Sequence, residues 1–599
     1  MRLSSSWIQQ GTSRTVGKGF QALVLMLGIT LLLFGGLGSR LVYLQLIEGS
    51  HNRQLADENR IRLIPKQPER GKVLDRKGRL LASSRLSHAV FIWPLAKKKA
   101  KWATTLSHLS NILKLSKDTI QRRVEQEGST STSLLRIARS ISPAQITALQ
   151  ERKDELDGIE VDAEAIRYYP NGDLAAHVLG YTGELTDEEL GALKPDGYRL
   201  GDVIGQMGAE QSFERQLRGE WGGQQVEVDG WGQVLRILGE KPTRAGNDIH
   251  LTIDLDIQKA AEKALGTIKG AVVAMDPNNG AILAMVSRPA FDPNIFSGLI
   301  SQSVWKDIQG RDHPFVNRAL QAFPPASTFK IVTTTAAIES GNYPANTVLN
   351  TFPFLTVGGI QFWDWNRAGF GPLDFPGAMA MSSDTFFYQV AVRMGEKPLL
   401  DWSRRYGFGR KTGIELGIEE SRGLVPDDDW KRKEIGEPWY GGDTVNSSIG
   451  QGFFQTTPLQ VAVMFAVPAN GGYLVKPHLL KDNEESRNWR ESLNLRPDTI
   501  KVLKEGLRQV VTGGTGQALN VPNQPPIAGK SGTAEDPPRK SHTWFGAYAP
   551  DNKPEIVVVA FGENSGGGGG SLMGPIALKV IEEYFKVYPP KGSLINSKT

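Results

Sequence analysis

Three short clusters in this chain bring hydroxyls and lysines together. In the first, Pro324-Pro325-Ala326-Ser327-Thr328-Phe329-Lys330, two prolines precede an apolar run from Phe329 to Ile338 that predicts a helix. Ser327 then falls in its first turn, where backbone N–H groups lack intrahelical partners. Lys330, three residues on, shares its face. A serine hydroxyl becomes a nucleophile when a base stands within hydrogen-bond reach. A lysine can be that base if burial or a neighbouring cation lowers its pKa. Taken alone, the same pair also fits a helix cap. The second cluster, Ser382-Ser383-Asp384 ahead of Thr385-Phe386-Phe387-Tyr388, reads by itself as a helix start capped by Ser382. The third, Lys530-Ser531-Gly532-Thr533-Ala534, offers a cation, hydroxyls and an approachable backbone at a strand edge, suited to a carboxylate. In isolation it is equally a surface turn.

In this order, S-x-x-K, S-x-[DN] and K-[ST]-G are the signature of penicillin-binding proteins and serine β-lactamases, and the chain resembles that superfamily. It is similar more closely to the class B penicillin-binding proteins, through Arg70-Gly71 to Ala82 and through Gly205 to Gly219. Asn317-Arg318-Ala319, Trp363-Asp364-Trp365, and Trp439-Tyr440-Gly441-Gly442-Asp443-Thr444-Val445-Asn446 to Gln451-Gly452 resemble the elongation-type branch, the penicillin-binding protein 2 group. The last two of these segments argue against the division-type paralogue, the nearest alternative. A β-lactamase, a transmembrane β-lactam sensor and a non-catalytic scaffold are further alternatives. The long N-terminal region, a short N-terminal tail without an effector, and the complete set of motif side chains speak against them in turn.

The resemblance implies a peptidoglycan D,D-transpeptidase active in cell elongation. Ser327 would attack the D-Ala-D-Ala carbonyl of a donor stem peptide, and neutral Lys330 would take its proton. Ser382 would relay a proton to the leaving amine, oriented by Asp384 and Lys330. Lys530 would attract the substrate's terminal carboxylate and depress the pKa of Lys330, while Ser531, Gly532 and Thr533 bind substrate. The backbone N–H groups of Ser327 and Thr533 would hold the oxyanion. The implied partners are donor and acceptor stem peptides, β-lactams that acylate the same serine, a RodA-type SEDS glycosyltransferase and an elongation scaffold such as MreC. No cofactor is implied. Three departures stand out. Ala326 replaces a usual glycine, with little effect expected because a small residue is kept. Ser531 replaces the commoner threonine, and Asp384 the commoner asparagine. Some relatives hold zinc near here through Asp, His and Cys. Here Phe370 and Ser383 stand at the His- and Cys-like positions, so Asp364 alone leaves no zinc site.

The elements that must position these residues follow from apolar patterning. Ala271 to Met275 and Ala281 to Val286 flank an Asp-Pro-Asn-Asn-Gly turn, a hairpin signal. Trp544 to Ala549 and Ile556 to Phe561 repeat that pattern near the C-terminus, with a closing helix from Pro575 to Phe585. Asp248 to Asp254 reads as a strand, Ile257 to Leu265 as an amphipathic helix, and Arg70 to Ala82 as two strands around Lys77-Gly78. Residues 102–155 carry helical periodicity, and glycine-rich turns cluster from Gly201 to Gly232. Gly566 to Gly570 lacks the lysine and hydroxyl of a phosphate loop and is expected to be a flexible loop at the site's rim. His542 and Trp544 are candidates to line the cleft, Trp544 equally to pack in the core.

Between Lys18 and Arg40 no residue is charged, a length of helix sufficient to cross a bilayer. Arg2, Arg14 and Lys18 precede it without an acid, which favours a cytoplasmic N-terminus. The run is longer than a cleaved signal's and lacks an A-x-A site. The chain is therefore expected to be a single-pass protein of the bacterial inner membrane with its bulk outside the cytoplasm. The expected fold is α/β: a transmembrane helix, an α+β pedestal (dimerisation-like) domain, and a penicillin-binding transpeptidase domain with an antiparallel sheet and helices. The expected boundaries are a tail over 1–18, the membrane anchor over 19–39, the pedestal over 40–245, the transpeptidase domain over 246–590 and a tail over 591–599. With no cysteine among 599 residues, disulfides, a thiol nucleophile and thiolate metal sites are excluded. A net charge of only +5, with Lys97, Lys98, Lys99 and Lys101 lacking interleaved aromatics, does not suit nucleic acid.

Overall fold

The computed structural model describes residues 12–49, 61–93, 96–97, 101–126, 135–199, 201–228, 234–298, 300 and 302–589. Arg2, Lys98, Lys99, residues 229–232 and the 591–599 tail lie outside the described residues. The chain gathers into two compact units, Met1–Pro68 with Glu220–Arg244, and Glu69–Gly219 with Ala245–Thr599.

In the first unit, helix Thr12–Val42 continues through a π-helical turn, Tyr43–Ile47. Its stretch Gly19–Ile47 is the one helix among the described residues long and apolar enough to cross a membrane. Leu32 and Phe34 are 78% and 70% exposed, so this apolar surface is left uncovered by the described residues of its unit. The same unit carries a three-stranded antiparallel sheet in which Gly222–Val228 lies between Ile61–Lys66 and Val234–Lys241.

In the second unit, the long strand Leu80–Ile92 pairs antiparallel with Ile159–Tyr168 and with Leu135–Ala138. Helices Trp102–Leu113 and Lys117–Gln126 bury Leu106, Leu109, Leu113, Ile120 and Val124 against Val90, Ile92 and Ile137 of that sheet. The turn at Lys77-Gly78 forms where expected, Gly78 taking a φ of 82° that an L side chain resists. The Arg70-Gly71 and Gly205–Gly219 segments meet at a fully buried carboxylate. Glu210 accepts from Arg70 Nε at 2.7 Å and Arg167 Nε at 2.6 Å, and Arg167 also donates to the Gly71 carbonyl at 2.7 Å. Two guanidiniums at hydrogen-bond range are what make a charge at this depth tolerable. The strand expected over Asp248 to Asp254 shrinks to Ile249–His250, because its partner Val73–Leu74 is only two residues long.

The elements around the three motifs are strands β1 (Gly270–Met275), β2 (Ile282–Arg288), β3 (Ala528–Ala534), β4 (His542–Ala549) and β5 (Ile556–Gly562). With them go helices α1 (Leu255–Leu265), α2 (Lys330–Glu339), α3 (Asp384–Met394), α4 (Pro458–Ala469) and α5 (Gly569–Val587). The strands form one antiparallel sheet in the order β2-β1-β5-β4-β3. Both faces are covered, so the strands read as continuous apolar runs. Val272 and Ala274 of β1 face one core with α1 and α5, while Val273 and Met275 face another with α4. Strand β3, which carries the third cluster, lies at the sheet's edge.

Two expectations at the C-terminus are corrected. Pro575 lies inside α5 rather than at its start, since the helix begins at Gly569. Of the glycine run, Gly566 to Gly568 form the expected loop, but Gly569 and Gly570 are closely packed as the start of α5. A β-carbon at Gly569 would come within 2.3 Å of the carbonyl oxygens of both Gly532 and Trp544, and one at Gly570 within 2.0 Å of the Thr515 carbonyl oxygen. Only glycine lets the helix start lie that close to β3 and β4.

Candidate active site

Ser327 sits in a single 3-10 turn, Ala326–Phe329, that runs directly into α2 at Lys330. The turn is pinned from behind. Ala326 N donates to the Gly450 carbonyl at 2.9 Å, and Thr333 of α2 donates to the Ser448 carbonyl at 2.7 Å. Gly450 therefore belongs to the site although its side chain can do no chemistry. The Trp439-to-Gly452 motif was the only signal for it in the sequence.

Ala326 has a φ of 51°, left-handed backbone that costs a residue with a β-carbon about 1–2 kcal/mol. The expectation that alanine here changes little is therefore incomplete, because the conformation and not only the size favours glycine. Ala326→Gly is expected to raise the melting temperature by a degree or more, from about 1 kcal/mol of relieved strain. Acylation by penicillin should stay within twofold of the parent, and differential scanning fluorimetry beside a labelling time course checks both.

Ser382 also has positive φ, 56°, at the junction between helix Phe375–Met381 and α3. The helix cap expected of Ser382 is made by Ser383, whose hydroxyl accepts from Phe386 N at 3.3 Å. That leaves the Ser382 hydroxyl free for the lysines, and both reach it: Lys530 Nζ at 2.9 Å and Lys330 Nζ at 3.3 Å. Lys330 Nζ also donates to Asp384 Oδ1 at 2.7 Å and to the Ser382 carbonyl at 2.8 Å. None of these bonds goes to Ser327, which is half-buried. Such contacts often tighten only when substrate is bound.

Both lysines are fully buried, and the one carboxylate beside them, Asp384, pairs with Lys330 at 2.7 Å. Burial first, and then the charge of Lys330, push the Lys530 amine well below the usual lysine range, against a weaker opposite pull from Asp384. The sequence reading placed the depressed pKa on Lys330. The geometry pairs Lys330 with Asp384 at 2.7 Å and adds Lys530 as an amine whose own pKa is lowered. Two amines and one carboxylate in a dry site are most cheaply held with one ammonium paired and the other amine neutral.

The remaining residues of the third cluster line β3. Gly532 faces the serine turn so closely that a β-carbon would lie 3.2–3.3 Å from Pro325 O, Thr328 Cγ2 and Ala326 Cβ. Thr533 is exposed, and its hydroxyl accepts from Gly569 N at 3.3 Å. The buried Ser531 hydroxyl shares a 2.7 Å hydrogen bond with Thr515, a partner that no sequence motif marked. Trp544 is a core residue whose ring lies tilted against Phe561, 4.2 Å between centroids. His542 lies under the β3–β4 loop, accepting from Asn564 N at 3.0 Å. The surroundings of Asp364 do not fit a zinc ion. Its oxygens are taken by hydroxyl and amide donors, and no group of three His, Asp or Glu side chains converges among the described residues.

Residues 270–582 match the family described as the penicillin-binding protein transpeptidase domain, and residues 65–251 match the penicillin-binding protein dimerisation domain. The chain is 34% identical to the peptidoglycan D,D-transpeptidase MrdA of Acinetobacter baumannii, covering 92% of this chain and 86% of that protein. To MrdA of Escherichia coli strain K12 it is 33% identical, over 94% and 93% of the two chains. Among solved structures, penicillin-binding protein PBP2 of Helicobacter pylori in complex with MreC superposes with a TM-score of 0.78 at 30% identity, covering 88% of this chain and 99% of that one. PBP2 of Pseudomonas aeruginosa in complex with WCK 5153 gives 0.68 at 29% identity, covering 88% and 97%.

Proposed function

The chain belongs to the penicillin-binding transpeptidases, as a peptidoglycan D,D-transpeptidase of the elongation type, and from that premise we propose that Ser327 is the residue acylated by the donor stem peptide. The observation that carries this reading is the juxtaposition of the Ser327 turn, the two buried lysines bridged by Ser382, and the edge strand bearing Gly532.

A route for the proton follows. With Lys530 neutral and Lys330 charged, Lys330 gives a proton to Ser382 Oγ as Ser382 gives its own to Lys530. Neutrality moves to Lys330, which can then take the Ser327 proton, and Lys530 becomes the cation that meets the substrate's terminal carboxylate. The arriving carboxylate itself favours this exchange. Lys330, now charged, returns its proton through Ser382 to the leaving D-alanine amine, with Asp384 holding Lys330 in place. The carbonyl oxygen of the tetrahedral intermediate is held by the backbone N–H groups of Ser327 and Thr533, an interaction of about 3 kcal/mol per donor. Ser531 and Thr533 hydroxyls bind the donor peptide along β3. An acceptor amine resolves the ester, and β-lactams acylate the same serine.

The apolar helix serves as a single-pass anchor in the inner membrane, over 19–39, with a tail over 1–18 on the cytoplasmic side. Residues 40–245 are the pedestal and 246–590 the transpeptidase domain. The pedestal carries contacts to an MreC-type scaffold, a reading supported by the PBP2–MreC complex of Helicobacter pylori, and to a RodA-type glycosyltransferase.

The test is labelling of the full-length protein in detergent with a fluorescent penicillin. The parent is expected to take up one stable label, and Ser327→Ala none at unchanged melting temperature. A label retained by Ser327→Ala places the nucleophile elsewhere, and a label shed within minutes makes the chain a hydrolase.

A further inference from the structure

The segment Trp363-Asp364-Trp365 does none of the chemistry above, yet it grips the peptide that does. It follows strand Ile360–Trp363, and each of its residues bonds to the stretch 381–388. Trp365 Nε1 donates to the Met381 carbonyl at 3.1 Å, immediately before Ser382. Asp364 Oδ2 accepts from Ser383 Oγ at 2.8 Å and from Thr385 N and Oγ1 at 2.9 Å each, either side of Asp384. The Trp363 carbonyl accepts from Tyr388 OH at 3.4 Å. Asp364 is fully buried, and its second oxygen accepts from Asn366 N at 3.2 Å. A carboxylate accepts at both oxygens and brings negative charge to the N-terminus of α3, where it is favoured.

We propose that Asp364 is a positioning residue for acylation: its carboxylate, by fixing Ser383 and Thr385, holds Ser382 in left-handed backbone with its hydroxyl between Lys330 and Lys530. This rests on the reading of Ser327, Lys330 and Ser382 given above. Ser382 itself is held by the Met379 carbonyl and by Lys330, and the clamp fixes the residues on each side of it, so that the backbone between them stays at a φ of 56°. Released, Ser382 returns to negative φ and its hydroxyl leaves the lysines. A group displaced by about 1 Å costs on the order of a hundredfold in rate.

A double-mutant cycle in the full-length protein, read as the acylation rate constant and the initial dissociation constant for a fluorescent penicillin, tests this. Asp364→Asn is expected to slow acylation ten- to a hundredfold while the initial dissociation constant stays within threefold. In a Ser382→Ala background, Asp364→Asn is expected to cost less than twofold more, because its effect passes through the Ser382 hydroxyl. An effect below twofold in the parent, or an equal loss in both backgrounds, overturns the proposal and leaves Asp364 a cap for the helix. Should Asp364→Asn fail to fold, Thr385→Val removes one hydroxyl donor and runs through the same cycle, with a three- to tenfold loss expected. A parent that takes no label defeats the Ser327 reading instead, which separates the two failures.

Discussion

Lys330→Met is expected to slow acylation by a hundred- to ten-thousandfold, the range that a positioned acid–base group supplies. It should also destabilise the protein, because Asp384 then keeps its charge beside the buried cluster without the ammonium 2.7 Å away. Breaking one half of a buried pair costs about 3–5 kcal/mol, a loss of several degrees in melting temperature. The double variant Lys330→Met with Asp384→Asn separates the effects. It should recover most of the lost stability and none of the activity, because the second change removes the orphaned charge without restoring a base. Melting curves and penicillin-labelling rates on the three proteins check this. Acylation by Lys330→Met within tenfold of the parent would move the base elsewhere, with Lys530 the next amine in line.

The second large effect is expected from Gly450→Ala, at a residue that touches no substrate. Its φ is 70°, and a β-carbon would stand 2.4 Å from the Ala326 carbonyl oxygen and 2.8 Å from Phe329 Cβ. Neither neighbour can yield without moving the Ser327 turn. The variant should lose about 2–4 kcal/mol, from left-handed strain and overpacking together, and acylate at least tenfold more slowly than its folded fraction explains. Gly452→Ala is the control. It has a similar φ of 73°, but its β-carbon would meet only Asn446 Cβ at 3.4 Å, ordinary contact. It should show the strain without the loss of acylation.

The contrast between those two glycines shows where sequence reasoning stops. Strands β1, β2, β4 and β5 were legible because burial on both faces writes unbroken apolar runs flanked by turn residues. The three clusters were legible because their side chains carry the chemistry. Gly450, Thr515 and the clamp at Asp364 act through distances across the fold, and no spacing along the chain reports a carbonyl 2.9 Å behind Ala326. Gly569 and Gly570 at the end of the glycine run misled for a related reason. Flexibility and close approach favour the same residue, and only the oxygens of Gly532 and Trp544 at 2.3 Å decide for the second. The distribution of charge was also out of reach. Which of the two lysines pairs with the carboxylate is decided by the fold, and Asp384 faces Lys330.

The central sheet joins β1 and β2, from residues 270–288, to three strands from residues 528–562. Some 240 residues separate its halves in sequence, and they include the Ser327 turn and α3. A ribosome releases the chain in order, so the first hairpin waits without its central neighbour β5 until nearly everything else has been made. Topologies dominated by such distant pairings assemble slowly and expose unpaired edges meanwhile. During that interval β1 offers a bare row of amides and carbonyls to any other strand nearby. A newly made copy of this chain is therefore most exposed to aggregation and to proteolysis just before its last strands arrive, and a chain cut short between α2 and β5 retains the serine without the scaffold that would arm it.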